Sequence, residues 1–350
     1  MPSTQFIDEQ DIKTPNLNTY TYDQEFSLEC GETLPGLEIS YTTYGKLSPA
    51  KDNVIWIFHA LTANADPMEW WPGLVGKGDF IDPDKYFIVC ANILGSCYGT
   101  SGPASIDPAT GKIYGFDFPL VTVKDMVESH KLLKTHLGIE KIYFGIGGSM
   151  GGQQLLEWSC SEPDLFENIC VIATNARHSA WGIGFNTAQR MAIEADPTYK
   201  DKTPDAGKKG LQAARAVAML SYRNQTTYRK TQTDFDDRVD DFKAASYQYY
   251  QGQKLSDRFS TASYWYLSKA MDSHNIGRGK KSVPHALKAI TARTLVVGIQ
   301  SDLLFPAAEQ KFIAKNIKDA QFIIIDSFYG HDGFLIETEA LTKEIKNFLK

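Results

Sequence analysis

Short apolar runs punctuate the chain at residues 27–30, 37–44, 54–58, 86–93, 141–146, 168–174, 294–299 and 321–325. Runs of this length, rich in Val, Ile, Phe and Tyr and bounded by turn residues, read as strands. From residue 86 onward they alternate with helical periodicity, as in VKDMVESHKLLKTH at 123–136, which predicts parallel strands joined by helical crossovers. The earlier runs have no helix between them and predict antiparallel edge pairings. The expected architecture is α/β, with an eight-stranded, mostly parallel sheet flanked by helices.

Between residue 175 and about residue 284 the pattern changes to helix formers and many tyrosines, without a good strand. This stretch predicts a helical lid inserted between late strands, dividing the chain into a first core part (1–174), the lid (175–285) and a second core part (286–350). Its aromatic face, including Tyr247, Tyr249, Tyr250, Tyr264, Trp265 and Tyr266, fits an acyl tunnel, a seam between two copies of the chain, or plain core packing.

One junction between strand and helix carries chemistry. KIYFGI at 141–146 runs into Gly147-Gly148-Ser149-Met150-Gly151-Gly152, and QQLLEWSC opens a helix at 153. A serine on such a turn adopts strained backbone angles that only small neighbours tolerate. Its hydroxyl then stands above the sheet beside the first N–H groups of a helix, where an oxyanion is stabilised. The chemistry implied is acyl transfer.

A serine nucleophile on this turn needs an acid and then a histidine, each after a later strand. The run 294–299 ends in Gln300-Ser301-Asp302, and the run 321–326 leads to Tyr329-Gly330-His331. Ser149 is therefore the candidate nucleophile, His331 the base and Asp302 the group that fixes the imidazole. The oxyanion would be held by the N–H of Met150 and by a second donor from the loop after 54–58, for which Leu61 is the candidate. His59, which precedes the serine, reads as a residue that orders this loop.

Composition narrows the partners. A net charge of −6 over 350 residues leaves no basic stripe for nucleic acid. No run approaches the roughly 18 apolar residues needed to cross a bilayer, and MPSTQFIDEQDIKTP lacks the regions of a signal peptide, so the expected location is the cytoplasm. Cys30, Cys90, Cys97, Cys160 and Cys170 have neither metal-ligand spacing nor an even count, and read as reduced thiols. No metal or bound cofactor is expected.

Six blocks in order then give the chain a family likeness: HALT (59–62), CYGTSGP (97–103), GGSMGG (147–152), ARHSA (176–180), SDLLFP (301–306) and YGHDGFL (329–335). They resemble the homoserine O-acetyltransferases, acyltransferases of the α/β-hydrolase superfamily. The resemblance implies acetyl-CoA as co-substrate, L-homoserine as acceptor, and a ping-pong route through an acetyl-serine enzyme toward methionine. It also implies that Asp332 meets the homoserine amino group, that Arg215 of the G-L-x-x-A-R segment at 210–215 binds homoserine, and that Tyr222 lines the same site. Seven residues apart on a helix, Arg215 and Tyr222 face one way. A homodimer formed through the helical lid is expected.

The chain departs from the family at Asp66 and Pro67, in HALTANADPMEWW, where a histidine and an apolar residue are usual. That departure bears on the width of the pocket mouth. A succinyl donor, a serine acceptor, a carboxylesterase with the same triad, and an inactive binding module remain alternatives. A long lid favours transfer, because it keeps water from the acyl-enzyme.

Overall fold

The computed structural model describes residues 17–350. The N-terminal stretch read above for a signal peptide lies outside the described residues, apart from which the fold follows the strand pattern closely. Eight strands form the main sheet: β1 (Asn18–Tyr22), β2 (Leu37–Tyr44), β3 (Val54–Phe58), β4 (Phe87–Ala91), β5 (Ile142–Gly148), β6 (Phe166–Ile172), β7 (Arg293–Ile299) and β8 (Ala320–Ile325). Their order is β1-β2-β4-β3-β5-β6-β7-β8. Pairings from β4 through β8 are parallel, whereas β1–β2 and β2–β4 are antiparallel.

Two sequence expectations need correction. Residues 27–30 do not form a sheet strand: Phe26–Ser27 pairs with Thr33–Leu34 in a separate hairpin, and Gly31, at φ +94°, turns the chain there. The eighth strand is β1 instead, whose polar sequence NTYTY suits a solvent-facing edge. The run 54–58 is not an antiparallel edge either. It is the central β3, buried along its length and parallel to both neighbours, because a fully apolar strand is stable only with both faces covered.

Helix α1 (Val123–His136) occupies the predicted span and begins with a reciprocal cap between Thr122 and Asp125. Helix α2 (Met150–Ser161) leaves the end of β5. Between β6 and β7 come α3 (Ala180–Glu194), α4 (Lys208–Tyr222), α5 (Gln225–Thr231), α6 (Lys243–Ser256), α7 (Thr261–Ser273) and α8 (Val283–Lys288). They are fastened together in part by buried polar contacts, such as the Arg190–Asp272 pair at 2.5 Å and the Tyr264 hydroxyl donating to Gln189 at 2.6 Å. Helices α9 (Ala307–Asn316) and α10 (Thr338–Phe348) complete the outer layers.

The aromatic face of the insertion divides by helix. Tyr264 and Tyr266 on α7 are core, and the Tyr266 hydroxyl donates to the Phe116 carbonyl at 3.0 Å. Tyr249 and Tyr250 on α6 are exposed. No helix among the described residues is long and apolar enough to cross a membrane.

Candidate active site

The site is assembled where β5, β7 and β8 end. Ser149 takes φ +56° and ψ −126°, a conformation that strains a residue with a side chain. Neighbouring contacts hold it there: its N–H donates to the Ile172 carbonyl at 2.9 Å, and its own carbonyl accepts from the Thr174 hydroxyl at 2.7 Å. The turn closes only because Gly147 and Gly151 lack side chains. A Cβ on Gly147 would lie 2.6 Å from the Gly151 carbonyl carbon, and one on Gly151 would collide with the Phe58 carbonyl oxygen. The first turn of α2 is thereby seated on the end of β3, next to the loop that begins at His59.

Three predicted residues converge. The Ser149 hydroxyl lies 2.9 Å from His331 Nε2, and His331 Nδ1 lies 2.7 Å from Asp302 Oδ2. All three are buried. Asp302 Oδ1 accepts from the N–H groups of Leu304 and Phe305 at 2.8 and 2.9 Å, so this carboxylate is aimed by its own backbone and leaves Oδ2 for the imidazole. With Nδ1–H donating to Asp302, Nε2 is the lone-pair nitrogen that faces the serine. Phe305 stacks on His331 at 5.1 Å between ring centroids and Phe334 packs at 5.3 Å, which confines the ring. Among the described residues, Asp302 is the carboxylate paired with His331.

The loop after β3 is equally constrained. Leu61 and Thr62 form the corners of a turn closed by the Ala63 N–H donating to the Ala60 carbonyl at 3.1 Å. His59 Nδ1 lies 2.8 Å from the same carbonyl, while Nε2 accepts from the Ile93 N–H at 3.1 Å. Burial lowers the His59 pKa to about 4, so the ring is neutral. The amide side chain of Gln154, on α2, donates to the His59 carbonyl at 3.2 Å and binds loop to helix. The N–H groups of Leu61 and Met150 have no acceptor among the described residues.

A polar group lies beside the triad on α4. The Arg215 guanidinium sits over the Tyr222 ring at 5.2 Å, and that ring is 5.8 Å from the His331 ring. Buried Arg215 Nε has no hydrogen-bond partner. Asp332 Oδ2 is paired at 2.8 Å with Arg223 Nε, an ion pair whose N–H points off the oxygen. Sequence reasoning missed Arg223; an isolated arginine at a helix end gives no periodic signal.

Two lesser expectations find a physical reading. Asp66 caps the short helix Pro67–Trp70 by accepting from Met68 N–H at 3.1 Å, and it accepts from the Tyr44 hydroxyl at 2.8 Å. The departure at Asp66-Pro67 thus builds a helix start, with proline at its first position. Cys97 accepts from the Ser260 N–H at 3.5 Å, and burial pushes its thiol up to about 11. That environment suppresses the thiolate. The five cysteines are free thiols, and among the described residues no group of three or more His, Cys, Asp or Glu is placed to hold a metal.

Comparison with known proteins adds ancestry to this geometry. Residues 53–338 match the alpha/beta hydrolase fold family. A homoserine O-acetyltransferase of Cyclobacterium marinum is 51% identical over 328 residues, covering 93% of each chain. Among solved structures, homoserine O-acetyltransferase from Bacillus anthracis superposes with TM-score 0.87 at 24% identity, over 95% of this chain and 98% of that one. Esterase E22 gives the same TM-score of 0.87 at 22% identity, over 95% and 100%. An acetyltransferase and an esterase fit equally well, so those two likenesses speak to the fold alone.

Proposed function

From the premise that this chain belongs to the homoserine O-acetyltransferase family, we propose that Ser149, His331 and Asp302 move an acetyl group from acetyl-CoA to the hydroxyl of L-homoserine. Ser149 Oγ attacks the thioester carbonyl and passes its proton to His331 Nε2. The imidazolium is balanced by Asp302, and the tetrahedral oxyanion is held by the N–H groups of Leu61 and Met150. Collapse expels the CoA sulfur, which leaves with the proton from His331. In the second half the homoserine hydroxyl gives its proton to His331 and attacks the acetyl-serine. The same proton then returns to Ser149 Oγ as the ester departs.

The observation that carries transfer over simple hydrolysis is the unpaired Arg215 Nε beside the triad. A buried guanidinium N–H without an acceptor, as at Arg215 Nε, is costly to leave unpaired, and the arginine fork suits a substrate carboxylate. An ester hydrolase has no need of it. Arg215 takes the homoserine carboxylate, Oδ1 of Asp332 takes the ammonium while Oδ2 stays with Arg223, and Tyr222 fills the wall between them and His331. These contacts confine the acceptor hydroxyl near His331 Nε2, which raises its effective concentration against water.

The inserted helices act as a lid, 175–285, over the two core parts of the chain. Exposed Tyr249, Tyr250 and Leu220 on them support pairing with a second copy. The reaction belongs to amino-acid biosynthesis, which together with free thiols favours the cytoplasm. The test is CoA release from acetyl-CoA. Without acceptor, one equivalent per site should appear as a burst and then stop; L-homoserine should restore steady turnover. Steady release without any acceptor would assign the protein to the hydrolases.

A further inference from the structure

Arg258 reaches from the inserted helices onto the turn that carries Leu61. It stands between α6 and α7, and one guanidinium nitrogen donates to the Thr62 carbonyl at 2.7 Å and to the Tyr98 hydroxyl at 2.6 Å. The residues after it dock on the neighbouring loop that follows β4: Phe259 packs edge-on against the Tyr98 ring at 5.6 Å, and the Ser260 N–H meets Cys97 Sγ. Thr62 is the second corner of the oxyanion turn. His59 holds the first corner from below through the Ala60 carbonyl, and among the described residues Arg258 is the sole donor to the second.

We propose that Arg258 is a positioning residue that ties the lid to the oxyanion turn, so that the Leu61 N–H is held in place only when the lid is seated. The peptide joining Thr62 to Ala63 is pinned at both ends, by its N–H on the Ala60 carbonyl and by its carbonyl under Arg258. Releasing one end loosens a turn whose neighbouring amide must meet a developing charge within a few tenths of an ångström. The coupling gives a chemical reason for a charged side chain at this point. An acyl-enzyme exposed by lid opening would lose its oxyanion donor at the moment water gains access, which favours transfer over hydrolysis. The inference rests on Leu61 being the oxyanion donor.

The test compares two acyl donors in the full-length protein: acetyl-CoA, and p-nitrophenyl acetate, which carries no phosphate. Arg258→Gln should lower kcat for acylation about tenfold with both donors, with KM within about twofold, because an oxyanion contact acts in the transition state. Arg258→Lys, which can still donate to Thr62, should recover to within about threefold of the parent. An unchanged rate with p-nitrophenyl acetate overturns the proposal. So does a loss confined to acetyl-CoA or to its KM, which makes Arg258 a contact for the carrier's phosphates. Should circular dichroism show Arg258→Gln unfolded, Arg258→Lys and Tyr98→Phe carry the same comparison, the latter slowing both donors by about threefold and overturning the idea if it slows neither. Since p-nitrophenyl acetate reads the triad itself, failure of homoserine or acetyl-CoA as substrates would refute the proposed function and leave this inference standing.

Discussion

The Ile93 N–H donates to His59 Nε2 at 3.1 Å, and this single contact settles which nitrogen of His59 carries the proton. A ring nitrogen that accepts is unprotonated, so in the neutral ring Nδ1–H donates to the Ala60 carbonyl 2.8 Å away. In a trans peptide the carbonyl and N–H point in opposite directions, and the Ala60 carbonyl shares its peptide with the Leu61 N–H. His59 therefore orients the Leu61 N–H, the proposed oxyanion donor, from the side of the peptide away from it. His59→Leu should reduce kcat of both half-reactions about ten- to a hundredfold with little change in KM. The pH at which kcat falls should not move, because His59 is already neutral above about pH 5. A shifted pH profile would make His59 a proton carrier.

Recognition of the acceptor separates from acylation. Arg215→Met and Asp332→Asn should each lower kcat/KM for homoserine about ten- to a hundredfold, as expected for charge-assisted contacts. Formation of the acetyl-enzyme should proceed at nearly the parent rate, followed by quenched-flow mass spectrometry. Equal damage to both halves would mean that Arg215 holds the lid and that Asp332 serves only His331.

Stability should fall on mild acidification. Burial depresses the pKa of His59 and His178 to about 4 and of His130 and His274 to about 3, from an unfolded value near 6.5. Below pH 6.5 the unfolded chain binds protons that the folded chain refuses, so stability present above 6.5 is lost as pH falls toward 4. Each group contributes a slope of up to about 1.4 kcal/mol per pH unit. His130, packed among Trp56, Phe58 and Trp158 with neither ring nitrogen bonded, gives the cleanest control. Denaturant titrations at pH 7 and 5 should show His130→Phe losing less stability between them than the parent; an equal loss would show that His130 is solvated in solution.

Gly151→Ala should damage activity and fold together. A methyl group there collides with the Phe58 carbonyl, a backbone atom that cannot swing away, and prises α2 from the end of β3. The expected result is a fall in Tm of several degrees with loss of most turnover. Full activity with an unchanged Tm would mean that the elbow has more room than its packing indicates.

The triad was legible in the sequence because each member follows an apolar strand, and strand ends are what periodicity marks best. The same signal misplaced the eighth strand. Polar NTYTY pairs at an edge where only Tyr20 and Tyr22 lean on the core, while SLEC, with its alternation, turns at Gly31. Arg223 and Arg258 were invisible for a different reason. Their partners, Asp332 and Thr62, lie on distant parts of the chain, the latter 196 residues away, and only folding brings them together. His59 shows the middle case: its role in ordering the loop could be read from its position, but the tautomer could not, since that depends on Ile93.

The central claim is that Ser149 carries the acetyl group. Incubating the protein with acetyl-CoA and no acceptor, then digesting it for mass spectrometry, tests this directly. One acetyl group should appear on the peptide containing Ser149, disappear on adding L-homoserine, and be absent from Ser149→Ala. A label on Cys97, or turnover by Ser149→Ala above about a hundredth of the parent rate, would contradict the account.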